Sequence, residues 1–526
     1  MTTQRPHSGR TRTLRALAVG ALGTALLGGL TTGTPAAAAP QPAAAQQRIT
    51  WKACKAPDGT KGFECATLKV PVDWKKPKGP TIPIALNRHK ATDPARRIGP
   101  LLVNPGGPGG SGVDFVFGAR STFSPALLAR FDIVGFDPRG VGRSHPVTCD
   151  WDLIAKQDPL LYPQSARDFA ALRAVTGALG KNCHARTGPL FGHMATSNVV
   201  QDMDAIRAAL GVAKISYYGV SYGTAIGQQY GARYPGRVRA LALDSNMDHS
   251  LGRAGFQRTE AVALEESYGQ FADWCARTPG CALHGRDARA LFDSLYRRAE
   301  AGELELPGGI QLKPRDVQLA IFGFLYDPAS WYDLADLLSD IDDPSADDAR
   351  RLSRFGEPTP YPISAVMCQD YDFRLPSYAA LTAQERDLAR VAPVTRSNPL
   401  AWTVMTGCQN WPAKVTNPPR PLKVDGTPPI LLTNSRYDPA TPHAWGANAA
   451  QQIGREAVLL TYDGVGHGDY WLSPCARQAI DTYLLTLKTP RPGTHCPAVW
   501  PTGPGTQRQS ADGLVNPLPE LIGSRY

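Results

Sequence analysis

Five residues constrain this chain more than any others: Gly219-Val220-Ser221-Tyr222-Gly223. A β-prone run, Lys214–Tyr218, precedes them, and a helical pattern, Thr224–Arg233, follows. A serine between two glycines at a strand-to-helix junction reads as a turn too tight for bulk at its flanking positions. Such a turn lifts the hydroxyl clear of the sheet and sets it at a helix N-terminus, where developing negative charge is favoured. The pattern alone is weak in a chain with 51 glycines. Its place between strand and helix gives it weight.

The same rhythm runs through much of the chain. Apolar runs end in turn residues at Leu101–Asn104, Phe131–Phe136, Ile215–Tyr218, Val238–Leu243, Ile430–Thr433 and Val458–Thr461, with helical patterns such as Val199–Leu210 between several of them. Buried-looking strands alternating with helices predict an α/β fold, a mostly parallel, doubly wound sheet covered on both faces. The rhythm breaks between about Asn246 and Pro419, where the patterns are helical: Glu260–Ala276, Ala288–Ala301, Arg315–Leu325 and Ala329–Ile341. An insertion there would sit over the carboxyl ends of the strands, where such sheets bind ligands, and reads as a large helical cap. The expected organisation is a signal peptide at 1–39, a disordered leader at 40–50, core at 51–245, cap at 246–419, core again at 420–496 and a Pro/Gly-rich tail at 497–526 that wraps the surface or hangs loose.

The N-terminus has Arg5, Arg10, Arg12 and Arg15, an apolar stretch from Ala16 to Leu30, and alanines at 36–39. This is the pattern of an export signal, with cleavage near Ala39 or Ala45. The apolar stretch falls short of the roughly 20 residues of a spanning helix, and no later segment reaches that length, so no membrane attachment is expected after cleavage. Without the first 39 residues the formal charge falls from +10 to +6, as four arginines and no acids are lost. The basic residues are scattered, which argues against a nucleic-acid partner. Ten cysteines in an exported chain point to disulfides. Order along the chain suggests the local pairs Cys54–Cys65, Cys149–Cys183, Cys275–Cys281, Cys368–Cys408 and Cys475–Cys496, a connectivity that sequence cannot prove. No CxxC or HExxH spacing marks a zinc site.

A serine nucleophile needs a base, and the base needs an orienting group. His249, His443, His467 and His495 stand in turn-like settings in the later part of the chain. His467, in Gly464-Val465-Gly466-His467-Gly468 just after the last strong strand, has small neighbours that leave its ring free to reach the serine. Asp438 follows the strand Ile430–Thr433 and precedes His467, the expected place for the acid. Asp244, ending the strand after the elbow, is its rival. Backbone donors for an oxyanion are expected at Gly107 and Tyr222. The glycine-rich run Asn104–Gly112 also holds a literal GxGxxG at Gly107, Gly109 and Gly112, with Asp137 ending the next strand. Pro105 and Pro108 remove amide donors that a dinucleotide phosphate would use, so that reading is set aside.

Together, Asn104-Pro-Gly-Gly-Pro-Gly-Gly-Ser-Gly112, Asp137-Pro-Arg-Gly-Val-Gly-Arg-Ser144, Gly219–Gly223, Asp438 and Gly466-His467 resemble the secreted tripeptidyl aminopeptidases of actinobacteria, a proline-iminopeptidase-like branch of the α/β-hydrolases. The resemblance spans roughly residues 50–500. It implies an exported serine exopeptidase that removes short peptides, typically tripeptides and in some members after proline, from free N-termini of peptides and proteins; a monomer is expected. It also implies the Ser221, Asp438, His467 triad and no cofactor. A carboxylesterase or lipase with the same triad is the alternative. An exopeptidase must also meet the substrate ammonium group with carboxylates. Glu265 and Glu266 on the first cap helix are the candidates, with Asp370 and Asp372 as the alternative pair.

Overall fold

Ten strands form one sheet in the order β1-β2-β3-β5-β4-β6-β7-β10-β11-β12 in the computed structural model, which describes residues 47–307, 309–343, 363–503, 514 and 516–518. The strands are β1 (Lys52–Cys54), β2 (Phe63–Pro71), β3 (Thr81–His89), β4 (Gly99–Asn104), β5 (Phe131–Phe136), β6 (Ile215–Val220), β7 (Val238–Asp244), β10 (Ile430–Tyr437), β11 (Ala457–Val465) and β12 (His495–Cys496). The pairings β1–β2, β2–β3 and β3–β5 are antiparallel, and the others are parallel. The order reverses around β4 and β5, and the elbow strand β6 lies next to β4. That brings the glycine-rich run after β4 beside the elbow after β6.

Both faces of the sheet are covered, as the apolar runs require. Leu102, Val134, Tyr217, Leu241 and Leu432 pack on one face with Leu172, Met203 and Ile226 of helices Ala166–Thr187, Thr196–Ala209 and Tyr222–Arg233. Their neighbours Leu101, Val103, Tyr218, Ala240, Ala242 and Leu431 pack on the other with Phe115, Leu127, Ile480 and Leu484. This alternation is the period of two of a strand buried on both sides.

Between β7 and β10 the described residues are mainly helical: Arg253–Arg277, Ala288–Ala301, Pro314–Phe322, Trp331–Asp342, Ser364–Asp370, Tyr378–Val391 and Pro399–Gly407, with one small hairpin, β8 (Glu305–Leu306) and β9 (Ile310–Gln311). The first four helices carry a hydrophobic core of their own, including Leu264, Phe271, Phe292, Val317 and Trp331. All five suggested disulfides are formed in the pairs that chain order indicates. Among the described residues no helix is long and apolar enough to cross a membrane.

One expectation at the ends is corrected. Residues 47–50 of the expected leader are described, and Ile49 donates its N–H to the Ala209 carbonyl while packing on the core; the signal segment lies outside the described residues. The tail is not simply loose, because Leu514 and Leu518 are buried in the sheet's second core, and Leu518 lies where a Cβ on Gly468 would touch it.

Beneath the site lies a buried ion pair. Arg139, in the Asp137-Pro-Arg-Gly turn, meets Asp202 through Nη2 at 2.6 Å and Nε at 2.7 Å, both side chains being fully buried. Its remaining donors reach the carbonyls of Pro71, Val72 and His193, and Trp74 Nε1 adds a bond to Asp202. Removing one member of such a pair strands the other charge in a dry interior. Asp202→Ala is expected to cost about 3–5 kcal/mol of stability, measured by denaturant unfolding. A loss under about 1 kcal/mol would contradict this account of the turn.

Candidate active site

The elbow is built as its glycines require. Ser221 has φ +57°, a strained conformation for a residue with a side chain, and is almost fully buried. A Cβ on Gly219 would lie 2.6 Å from the Gly223 carbonyl oxygen, and one on Gly223 would lie 2.8 Å from that of Asn104. The flanking positions therefore admit no side chain.

The run after β4 folds back over Ser221. Gly106 has φ +96°, and a Cβ there would stand 2.8 Å from Ser221 Cβ and 3.2 Å from Tyr222 N. The segment that carries Gly107 thus sits beside Ser221 and the candidate donor Tyr222 N. Asp137 holds this run in place: its carboxylate accepts from Ser111 Oγ at 2.5 Å, Val113 N at 3.1 Å and Arg143 N at 2.8 Å. Asp137 thereby ties the end of this run to the turn that carries Arg143.

His467 and Asp438 meet in the interior, both fully buried. His467 Nδ1 lies 3.0 and 2.9 Å from the two Asp438 oxygens. Asp438 is itself fixed by Ala440 N and Thr441 N at 2.9 Å each and by Thr441 Oγ1 at 2.8 Å. Nδ1–H donation to the carboxylate leaves the Nε2 lone pair available, and Nε2 has no hydrogen-bond partner among the described residues. Tyr326, arriving from the helical insertion, accepts from His467 N at 2.9 Å and sets its ring edge-on to the imidazole at 4.9 Å.

Asp244, the rival acid, is engaged elsewhere, by the backbone of the loop that follows His467. It is a neighbour of the site and makes no bond to the imidazole.

The paired ammonium site expected at Glu265 and Glu266 is not formed. Glu265 accepts from Val394 N at 3.1 Å and from Thr395 N and Oγ1 at 2.8 Å each, so its carboxylate clamps a turn. Glu266 is exposed and lies about 100° further round the helix. The alternative pair also fails. Asp370 is buried and satisfied by Thr196 and by Asn417 Nδ2, and Asp372 is exposed and pairs with Arg374.

Sequence reasoning missed Glu260 on the same helix. It is buried, accepts from Asn398 Nδ2 at 2.9 Å, and its carboxyl is held well above the usual range by burial and by the charge of Asp438. Asn398 Nδ2 also donates to the Pro439 carbonyl at 2.8 Å, tying the insertion to the turn that carries Asp438. A glutamate in a helical pattern gives no sign that its partner lies 138 residues away. Between the insertion and the 158–164 segment of the core lies a cavity of about 760 Å³ whose lining includes Tyr162, Tyr296, Arg315, Glu385 and Arg396. A second, smaller cavity shares Arg315 with it and reaches Phe322, whose ring contacts Tyr326.

The sheet order, the strained serine between β6 and its helix, and a histidine on the loop after β11 define an α/β-hydrolase. Family models agree: "alpha/beta hydrolase fold" matches residues 99–332 and "TAP-like protein" matches residues 392–496. The tripeptidyl aminopeptidase of Streptomyces lividans is 33% identical over 476 residues, covering 85% of this chain and 86% of that protein. Serine protease Hip1 of Mycobacterium tuberculosis is 31% identical over 483 residues, covering 86% of this chain and 91% of its own. Carboxylesterase B of the same organism is 31% identical over 517 residues, covering 90% and 96%. The chain belongs to the tripeptidyl aminopeptidase family of α/β-hydrolases.

Proposed function

We propose that this protein is an exported serine exopeptidase that releases short peptides, typically tripeptides, from free N-termini. The buried His467–Asp438 pair, with its unpartnered Nε2, carries the chemistry of the reading. The relatives named tripeptidyl aminopeptidase and serine protease support the substrate class. Five disulfides support export.

In the proposed mechanism Ser221 Oγ attacks the scissile carbonyl while His467 Nε2 takes its proton. Asp438 holds the imidazole in the Nδ1–H tautomer and stabilises the imidazolium. The Gly107 and Tyr222 N–H groups receive the oxyanion. The imidazolium then protonates the leaving amine, and water activated by His467 releases the peptide from Ser221. The helical insertion acts as the cap that admits a chain end. The cavity of about 760 Å³ lies within the range of small-ligand sites.

Mass spectrometry of a polypeptide with a free N-terminus tests this. A ladder shortened by three residues per step is expected, and internal fragments would overturn the exopeptidase reading. The relative named carboxylesterase B favours a second reading, ester hydrolysis by the same residues. Ester turnover without any peptide ladder would put that reading first.

A further inference from the structure

Asp244 stands where the two halves of the site join. Its backbone carbonyl accepts from Ser221 N at 2.9 Å, so the nucleophile hangs directly from it. Its carboxylate accepts from Asp469 N at 2.9 Å and Tyr470 N at 3.0 Å, the backbone of the loop that begins at His467. Tyr218 Oη, from the elbow strand β6, adds a bond at 2.8 Å, and Thr433 Oγ1, from β10, adds one at 3.1 Å. The next residue repeats the connection: Ser245 Oγ accepts from Gly468 N at 2.9 Å, and Ser245 N donates to the Thr433 carbonyl. No other residue described above bonds to both the Ser221 backbone and the His467 loop.

We infer that Asp244 is a positioning residue that sets the distance between Ser221 and His467, acting as a fixed anion that gathers the elbow, β10 and the His467 loop onto the end of β7. This rests on the proposed serine mechanism. It touches neither substrate nor imidazole. Its bonds fall on backbone N–H groups on one side and on the backbone of the nucleophile on the other, so a shift of its side chain moves one reacting group against the other.

A second buried acid lies close by, and hydrogen bonds to Asp244 oppose the effect of burial on its carboxyl. Asp469 is also fully buried, two residues after His467, with one oxygen accepting from Ser435 Oγ at 2.6 Å. Burial raises both carboxyls, and the charge of Asp244 drives Asp469 higher still. Five donors are aimed at the two Asp244 oxygens: Asp469 N, Tyr470 N, Tyr218 Oη, Thr433 Oγ1 and, at 3.4 Å, Ser245 Oγ; hydrogen bonds to a carboxylate favour its charged form. An amide in place of Asp244 would present N–H to at least one of those donors.

The experiment uses the whole protein and a chromogenic tripeptide amide, with kcat and KM measured for Asp244→Asn and thermal unfolding followed in parallel. The expected result is a fall in kcat of about 100-fold, because displacement by about 1 Å has that effect, with KM changed less than threefold. Labelling of Ser221 by a fluorophosphonate should slow in step. A folded D244N variant with kcat within twofold of wild type would overturn the proposal, as would a rise in KM alone. Should D244N not fold, Tyr218→Phe and Ser245→Ala decide the matter. Each removes one hydroxyl of the same junction and is expected to lower kcat about fivefold at unchanged KM; no change in either overturns the proposal. Wild-type protein inert to both substrate and fluorophosphonate would instead sink the serine mechanism itself.

Discussion

Replacing Ser221 with alanine is expected to lower kcat/KM about a million-fold, His467→Ala is expected to do about the same, and the double variant should be no worse than either. The reason is that the two side chains perform one act. Without Oγ the base has no proton to take, and without Nε2 the hydroxyl is left at its ordinary, weak nucleophilicity. The residual rate should stay above that of water, because the Gly107 and Tyr222 donors remain. Steady-state kinetics with enough enzyme to reach the residual rate, backed by a fluorophosphonate that labels wild type and not S221A, makes the check. Losses that multiply in the double variant would mean that Ser221 and His467 act separately.

Asp438→Asn should lower kcat about ten-thousandfold with KM nearly unchanged. The two Asp438 oxygens lie within reach of two backbone N–H groups, one hydroxyl and His467 Nδ1. An asparagine has one oxygen to offer. If that oxygen satisfies Ala440 N and Thr441 N, the amide nitrogen faces Nδ1 and donates to it. The imidazole then carries its proton on Nε2 and cannot accept one from Ser221. Kinetics and thermal unfolding on the same preparation separate this from misfolding. A folded D438N variant within tenfold of wild type would shift the orienting role away from Asp438.

Much of this was legible in the sequence because it is local. The elbow needs a strand, two side-chain-free positions and a helix, all within about 20 consecutive residues. The parallel strands were readable as apolar runs because both their faces are buried. The antiparallel strands β2 and β3 were not, since part of their surface is exposed and their pattern is mixed. Asp438 and Asp244 end adjacent strands, and chain order favours the first. Only the fold shows that the second faces the backbone after His467. Glu265 and Glu266 illustrate the opposite failure: neighbours on a helix point about 100° apart, a fact available from the sequence that argues against their pairing. Glu260, Asp202 and Asp469 could not be found, because a buried acid is recognised by its partners. Those partners, Asn398, Arg139 and Ser435, come from distant parts of the chain.

The central claim is a serine exopeptidase that acts on a free N-terminus. Its most direct test incubates the purified protein with two chromogenic Ala-Ala-Pro amides, identical except that one is N-acetylated. Rapid release from the free amine with little from the acetylated form is the predicted result. Equal cleavage of both would contradict it and leave a permissive hydrolase or an endopeptidase in its place.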